Sequence, residues 1–387
     1  MLQGYPRYRC RWSIATLAVL VCAVAAAAAS ATEPRCVPGE TLTSCATAVV
    51  TGTLAGDQCQ SDLPQPANDP QAQTSAADQL QRLLEDVPCP GSGRVAYDAR
   101  DNLGDSMSVL DPIPDPQGGY LGVYHTAFRL PGDPVVDFRS SLAYSTDLIH
   151  WRRLEVLDPS GASMPTVRSI AGSSGFLLAY EKHTAHSGNV VRLRFYPTLQ
   201  ALLANRFTAQ RDLPRLFSPY NNGTPTILWA QWHGSLYRSV IEVGFHYESA
   251  PKGWRGPDRE ALGTLRGFRN WTARTDPDAD AVLDRLGLTG SHGDWRQFGF
   301  DNLRWRVYEG QTSFNDFGAW RVVLENPASS QSYSLALRMG SQTVASSFAN
   351  PVARVEPGPN GQGTVLVVTM YLFAGPTRGE LVYYQPI

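Results

Sequence analysis

Apolar and polar residues alternate along most of this chain in short runs closed off by Gly, Pro and Asp. In Gly118-Gly119-Tyr120-Leu121-Gly122-Val123-Tyr124-His125-Thr126, and again over 140–145, β-branched and aromatic residues fill such runs, the pattern of short antiparallel strands joined by hairpins. Ser145-Thr146-Asp147 then offers side-chain oxygens to start a single helical turn, and Trp151 opens the next strand as a large apolar plug. Further strand-like runs fall at 176–181, 190–196, 239–246, 304–308, 321–324 and 364–371. Residues 192–196 and 304–308 alternate as half-exposed strands do, whereas 364–371 is apolar enough for an inner strand covered on both faces.

Helical periodicity is sparse. Ser75-Ala76-Ala77-Asp78 reads as a capped start, Ala76, Leu80, Leu83, Leu84 and Val87 recur at helical spacing, and Pro88 ends the run. Its apolar stripe is expected to pack on the β body or on its own cysteine module. A second helix is expected from Asp276-Pro277 to Leu286, with Pro in the first turn and Gly287 after the end. The strand end at Tyr144-Ser145-Thr146-Asp147-Leu148-Ile149-His150-Trp151 has a weak counterpart in Tyr196-Pro197-Thr198-Leu199-Gln200-Ala201-Leu202-Leu203. Units of roughly 40 to 65 residues, each a four-stranded blade, fit this repeat better than one long sandwich. The expected architecture is an all-β five-bladed β-propeller over 91–387, preceded by a cysteine-containing module over 32–90 with one helix.

The blade ending at 144–151 resembles that of the five-bladed propeller glycosidases, the arabinanase, β-xylosidase and invertase-like group. The resemblance extends over about 100–387 in architecture but only over the first blade in motif. It implies a glycan in a central cavity and an Asp at the start of the first inner strand. It also implies a Glu in the third blade, and a histidine close to a structural Ca2+ near the axis.

The N-terminus changes the picture of where such a protein works. Arg7, Arg9 and Arg11 precede an apolar run ending in Ala29-Ser30-Ala31, so residues 1–31 read as a secretory signal peptide, with an uncleaved membrane anchor as the rival reading. The expected location is extracellular, or periplasmic in a Gram-negative cell. Cys36, Cys45, Cys59 and Cys89 remain afterwards, an even set in one short segment, which favours two disulfides over a metal site and leaves three pairings open. A net charge of −2 with 18% charged residues supplies no basic field for nucleic acid and no polybasic patch for a membrane. No GxSxG elbow, phosphate-binding glycine loop or HExxH helix is present in the sequence.

In a propeller, polar residues near the starts of the inner strands converge on one axis. Asp105, Arg168, Asn222, His292 and Asn350 each precede or open an apolar strand, one per blade. Glycoside hydrolysis needs two carboxyl groups flanking the scissile bond. Asp105 is the expected base; Asp111 competes, but Pro112 and Pro114 after it suggest a hairpin tip. For the acid, Glu181, Glu242 and Asp294 are candidates, with Glu248 in a loop nearby. His292, flanked by glycines, is expected to face a ligand or cation, and Trp232 and Trp295 to offer sugar-stacking faces. His183 and His186 flank a hairpin tip without a third metal ligand. Hydrolysis of a polysaccharide or oligosaccharide with no required cofactor is the leading expectation. Non-catalytic glycan or surface binding is the second, and a structural envelope role the third.

Overall fold

The computed structural model describes residues 75–129, 135–184, 188–250, 256–329, 331–373 and 377–387. The signal peptide, Cys36, Cys45, Cys59, His186 and Trp254 lie outside these residues. By compactness the chain divides into Met1–Gln65 with Phe128–Val136, and Pro66–Ala127 with Asp137–Ile387. The propeller belongs to the second unit.

Helix α1 (Ala76–Glu85) forms where the periodicity predicts it, with Ser75 accepting a hydrogen bond from the Asp78 N–H. Cys89 lies just beyond it. The strands follow in radial order. β1 (Val95–Ala96) comes first in sequence but is used last. The first blade is β2 (Ser108–Pro114), β3 (Tyr120–Arg129), β4 (Val136–Ser145) and β5 (Arg152–Asp158). The second is β6 (Ala162–Ser169), β7 (Phe176–Thr184), β8 (Gly188–Tyr196) and β9 (Ala209–Asp212), with the short helix α2 (Leu199–Leu203) between the last two. The third is β10 (Asn222–Gln231), β11 (Val240–Glu248), β12 (Asp258–Arg266) and β13 (Asn270–Thr275). After helix α3 (Pro277–Arg285) comes the fourth, β14 (His292–Phe300), β15 (Leu303–Gln311), β16 (Trp320–Asn326) and β17 (Gln331–Ser334). A small ribbon, β18 (Arg338–Met339) with β19 (Gln342–Thr343), leads to β20 (Phe348–Pro357), β21 (Thr364–Leu372) and β22 (Gly379–Pro386). β1 pairs with β22 as the outer strand of this fifth sheet, so the first described strand and the last one close the ring.

Five buried apolar clusters hold the blades together, one at each junction. Leu121 and Leu142 meet Val167 and Tyr180, Leu177 and Phe195 meet Ile227 and Phe245, and Leu262 meets Trp295 and Tyr308. Trp305 and Leu324 meet Ala353 and Leu366, and Val367 and Val382 meet Leu110 and Trp151. Each fully buried side chain of this size contributes about 1.5–3 kcal/mol. Helix α1 joins the fourth junction through Leu80, Leu84 and Val87, so its stripe packs on the blades. Among the described residues no helix is long and apolar enough to cross a membrane.

Two expectations are corrected. The apolar run at 364–371 is β21, the second strand of its blade, and the inner strand is β20; a second strand is also covered on both faces, so hydrophobicity alone does not separate them. The turn after β4 is a bend without a helical turn: Ser145 Oγ accepts from Asp147 and Leu148, and Asp147 Oδ1 from Ile149 and His150.

Candidate functional site at the propeller axis

Every inner strand breaks register near its start: at Ser108/Asp111, Ser163/Thr166, Gly223/Thr226, His292/Trp295 and Ala349/Val352. In four of these bulges a residue other than glycine takes a left-handed φ, Val109 at 56°, Met164 at 52°, Thr224 at 37° and Asn350 at 53°. A bulge frees backbone N–H groups that need partners once buried. Buried side chains supply them. Glu380 accepts from Leu110, His125 Nδ1 from Met164, Glu181 Oε1 from Thr224, and Glu309 from both Asp294 and Asn350. The recurring element is the bulge, and its acceptors come from the second and third strands of the blades, not from the expected set Asp105, Arg168, Asn222, His292 and Asn350.

That finding relocates most of the expected site. Glu181 is buried and fully occupied by Ser163, Asn189 and the Thr224 N–H. Asn350 is a bulge residue, and Asn222 opens β10 with 1% exposure. His292 does not face a cavity: its ring is wholly buried, Nδ1 lies 2.6 Å from Asp280 of α3, and Nε2 lies 2.9 Å from the Leu288 carbonyl. A histidine satisfied on both nitrogens is not poised for a cation. Among the described residues no group of three or more His, Cys, Asp or Glu is arranged to hold one. Trp295 lies in β14, where it stacks on Tyr308 over Gly244; a Cβ on that glycine would come within 2.2 Å of the indole. The expected sugar-stacking face of Trp295 is thus buried within the fold, and the Gly293 and Asp294 before it belong to the bulge.

Asp105 lies in the loop before β2, where Arg139 and Arg153 both bind its carboxylate. The carboxylate of the first inner strand is Asp111. Prolines made this segment read as a hairpin tip, yet an inner strand has an unpaired edge toward the axis, where a missing N–H costs little. Pro165, Pro225 and Pro351 occupy three of the four other inner strands, β6, β10 and β20, for the same reason.

Around the axis, alternate inner-strand residues form a charged network. Asp111 is wholly buried; Oδ1 accepts from Arg354 Nε at 2.6 Å, and Oδ2 accepts from the Thr166 hydroxyl at 2.7 Å and the Val167 N–H at 3.2 Å. Arg168 donates to the Ile227 carbonyl at 3.1 Å. Asp294 and Arg296, two apart and so on one strand face, bind each other. Burial alone would raise the Asp111 carboxyl, but Arg354, Arg296, Thr166 and Arg168 outweigh it and hold it below the ordinary carboxylate range. Burial, helped by Asp111 and opposed by Arg296, pushes Asp294 up to about 7. Repulsion from Arg354 and then burial lower Arg168 to about 9.

These shifts set a pH dependence. Burial raises Glu309 and Glu380 to about 8, the charge of Asp294 adding to the effect at both. A carboxyl whose folded pKa exceeds its unfolded one stabilises fully below the unfolded value, and that contribution is lost as pH rises through the folded value. His125, lowered by burial to about 4, runs oppositely: its contribution is present above its unfolded 6.5 and lost as pH falls toward 4. Above 6.5 the acids act alone. Thermal scans should show the melting temperature falling between about pH 6.5 and 8.5, with a flatter slope in Glu309→Gln.

Open space lies at the mouth where the inner strands end. A cavity of about 720 Å3 is lined by Trp229, Trp232, Glu242, Arg274, Gln297, Arg304 and Arg306, among others. Another of about 700 Å3 shares Leu228, Gln297 and Arg304 with it and adds Arg168. Trp229 is 43% exposed and donates its Nε1–H to Glu242, while Trp232 stacks on Phe195 at 5.8 Å. Of the expected site residues, Arg168, Glu242 and Trp232 thus meet at this mouth. Arg274 comes from β13, and Arg304 and Arg306 lie two apart on β15, on the alternating run at 304–308; Arg296 and Arg354 could have been found from the i, i+2 pairs Asp294/Arg296 and Arg354/Glu356.

No protein-family model matches the chain, and no curated protein matches it. Solved structures do. The chain is similar to BT0996 in its RGII complex, at 9% identity and a TM-score of 0.50, covering 81% of this chain and 95% of that one. It is also similar to the GH43_1 enzyme from Xanthomonas citri complexed with xylotriose, at 9% identity, 80% and 92% coverage and a TM-score of 0.46. The α-L-arabinofuranosidase from Lactobacillus brevis is 12% identical over 72% of this chain and 90% of that one, with a TM-score of 0.41. At these identities the likeness is one of fold alone: the chain is a five-bladed propeller.

Proposed function

We propose that the protein is an exported glycan-binding propeller that holds sugar chains at the mouth where its inner strands end. The observation that carries this reading is the pairing of an accessible aromatic and polar cavity with an axial carboxylate, Asp111, that is wholly buried and engaged through both oxygens. Trp229 and Trp232 offer faces for the apolar side of a sugar ring, and Gln297, Glu242 and the arginines offer hydrogen bonds to hydroxyls. Asp111, the carboxylate of the first inner strand, has both oxygens committed to Arg354, Thr166 and Val167 and has no free lone pair aimed at a water.

A second reading, hydrolysis at the axis, is favoured by one observation: Asp111 is held ionised while Asp294 is pushed up to about 7, the split that separates a base from an acid. A panel of soluble polysaccharides, assayed for binding and for released reducing ends, tests both. Binding without release is the expected result. Release that disappears in a folded Asp111→Asn variant would replace the first reading by the second, and neither binding nor release on any glycan would remove both.

A further inference from the structure

The mouth of the inner-strand ends is more cationic than the chain around it. The protein carries a formal net charge of −2, yet Arg168, Arg274, Arg304 and Arg306 line the two joined cavities against Glu242 and Asp301. Glu242 is already engaged by the Trp229 indole. Arg168 donates to the carbonyls of Ile227 and Gln297, and Arg306 to the Tyr308 hydroxyl. Among the described residues, none of the four arginines is in a salt bridge. Arg274 and Arg304 are exposed at the rim, while Arg168 and Arg306 sit half-buried deeper in.

Guanidinium groups that close no salt bridge, grouped around aromatic faces, match a ligand that has both a ring face and a planar anion. A carboxylate meets a guanidinium fork through two parallel hydrogen bonds, and such charge-assisted pairs are stronger than bonds to neutral hydroxyls. A neutral sugar would leave the exposed rim charges of Arg274 and Arg304 unanswered. Because Arg304 borders both cavities, acids on successive rings of one glycan would find partners on each side of it.

We propose that the glycan bound at this mouth is a uronic-acid-containing oligosaccharide, its carboxylates held by Arg304 with Arg274, Arg306 and Arg168 while its rings stack on Trp229 and Trp232. This rests on the glycan-binding reading above and narrows it to acidic sugars.

Calorimetric titration of the intact protein with galacturonate, glucuronate and mannuronate oligomers, with their methyl esters, and with a sulfated oligomer tests the proposal. At least one uronate should bind about 10-fold more tightly than its own ester, a gap that narrows at high salt and in Arg304→Ala. The ester's affinity should change little in that variant. Equal binding of acids and esters would overturn the acidic-sugar assignment and leave glycan binding standing. Tighter binding of the sulfated oligomer than of any uronate would overturn the choice of carboxylate. No binding of any oligomer, neutral ones included, would overturn the reading beneath it as well.

Discussion

Asp111→Ala is expected to destabilise the propeller by about 3–5 kcal/mol, because it strands Arg354 in the centre of the fold without its partner. Arg354 is 6% exposed and Asp111 not exposed at all, so neither water nor salt can replace the lost pairing. The substitution also removes the acceptor of the Thr166 hydroxyl and the Val167 N–H. Asp105→Asn gives the matching control. The Asp105 side chain is 29% exposed in its pairing with Arg139 and Arg153, and its replacement should cost about 1 kcal/mol or less. Chemical denaturation of the two variants side by side separates an axial carboxylate from a peripheral one.

Glu309→Ala is the second large effect. One carboxyl accepts N–H bonds from the bulges of two successive inner strands, at Asp294 and at Asn350. Removing it leaves two buried donors unpaired at about 1–3 kcal/mol each, and a void where the side chain was. Glu309→Gln keeps one acceptor oxygen and most of the volume, so it should lose about half as much. Comparable losses in the two variants would show that the bulge N–H groups find other partners.

How far the sequence predicts this molecule depends on how local each signal is. Strand runs such as 176–181 and 190–196, and the helices beginning after Ser75 and Asp276, carry their periodicity and caps within a few residues, and the structure forms them. The five-blade count follows from their spacing. What was not legible is what depends on partners far along the chain. His292 looked open because its neighbours are glycines, but Asp280 on α3 and the Leu288 carbonyl fill its valences. Asp111 looked like turn residue chemistry because of its prolines, and only the unpaired edge of an inner strand makes those prolines acceptable. Arg354 reaches Asp111 across 243 residues of sequence, and no window of the chain contains both.

The division of labour between a locked axis and an open mouth is the central claim. The most direct test measures affinity for the best-binding oligosaccharide in three folded proteins: wild type, Trp229→Ala with Trp232→Ala, and Asp111→Asn. A loss of about 30-fold or more in the tryptophan variant, with Asp111→Asn close to wild type, is the predicted result. Undiminished affinity in the tryptophan variant, with binding lost in a stably folded Asp111→Asn, would contradict it and return the ligand to the axis.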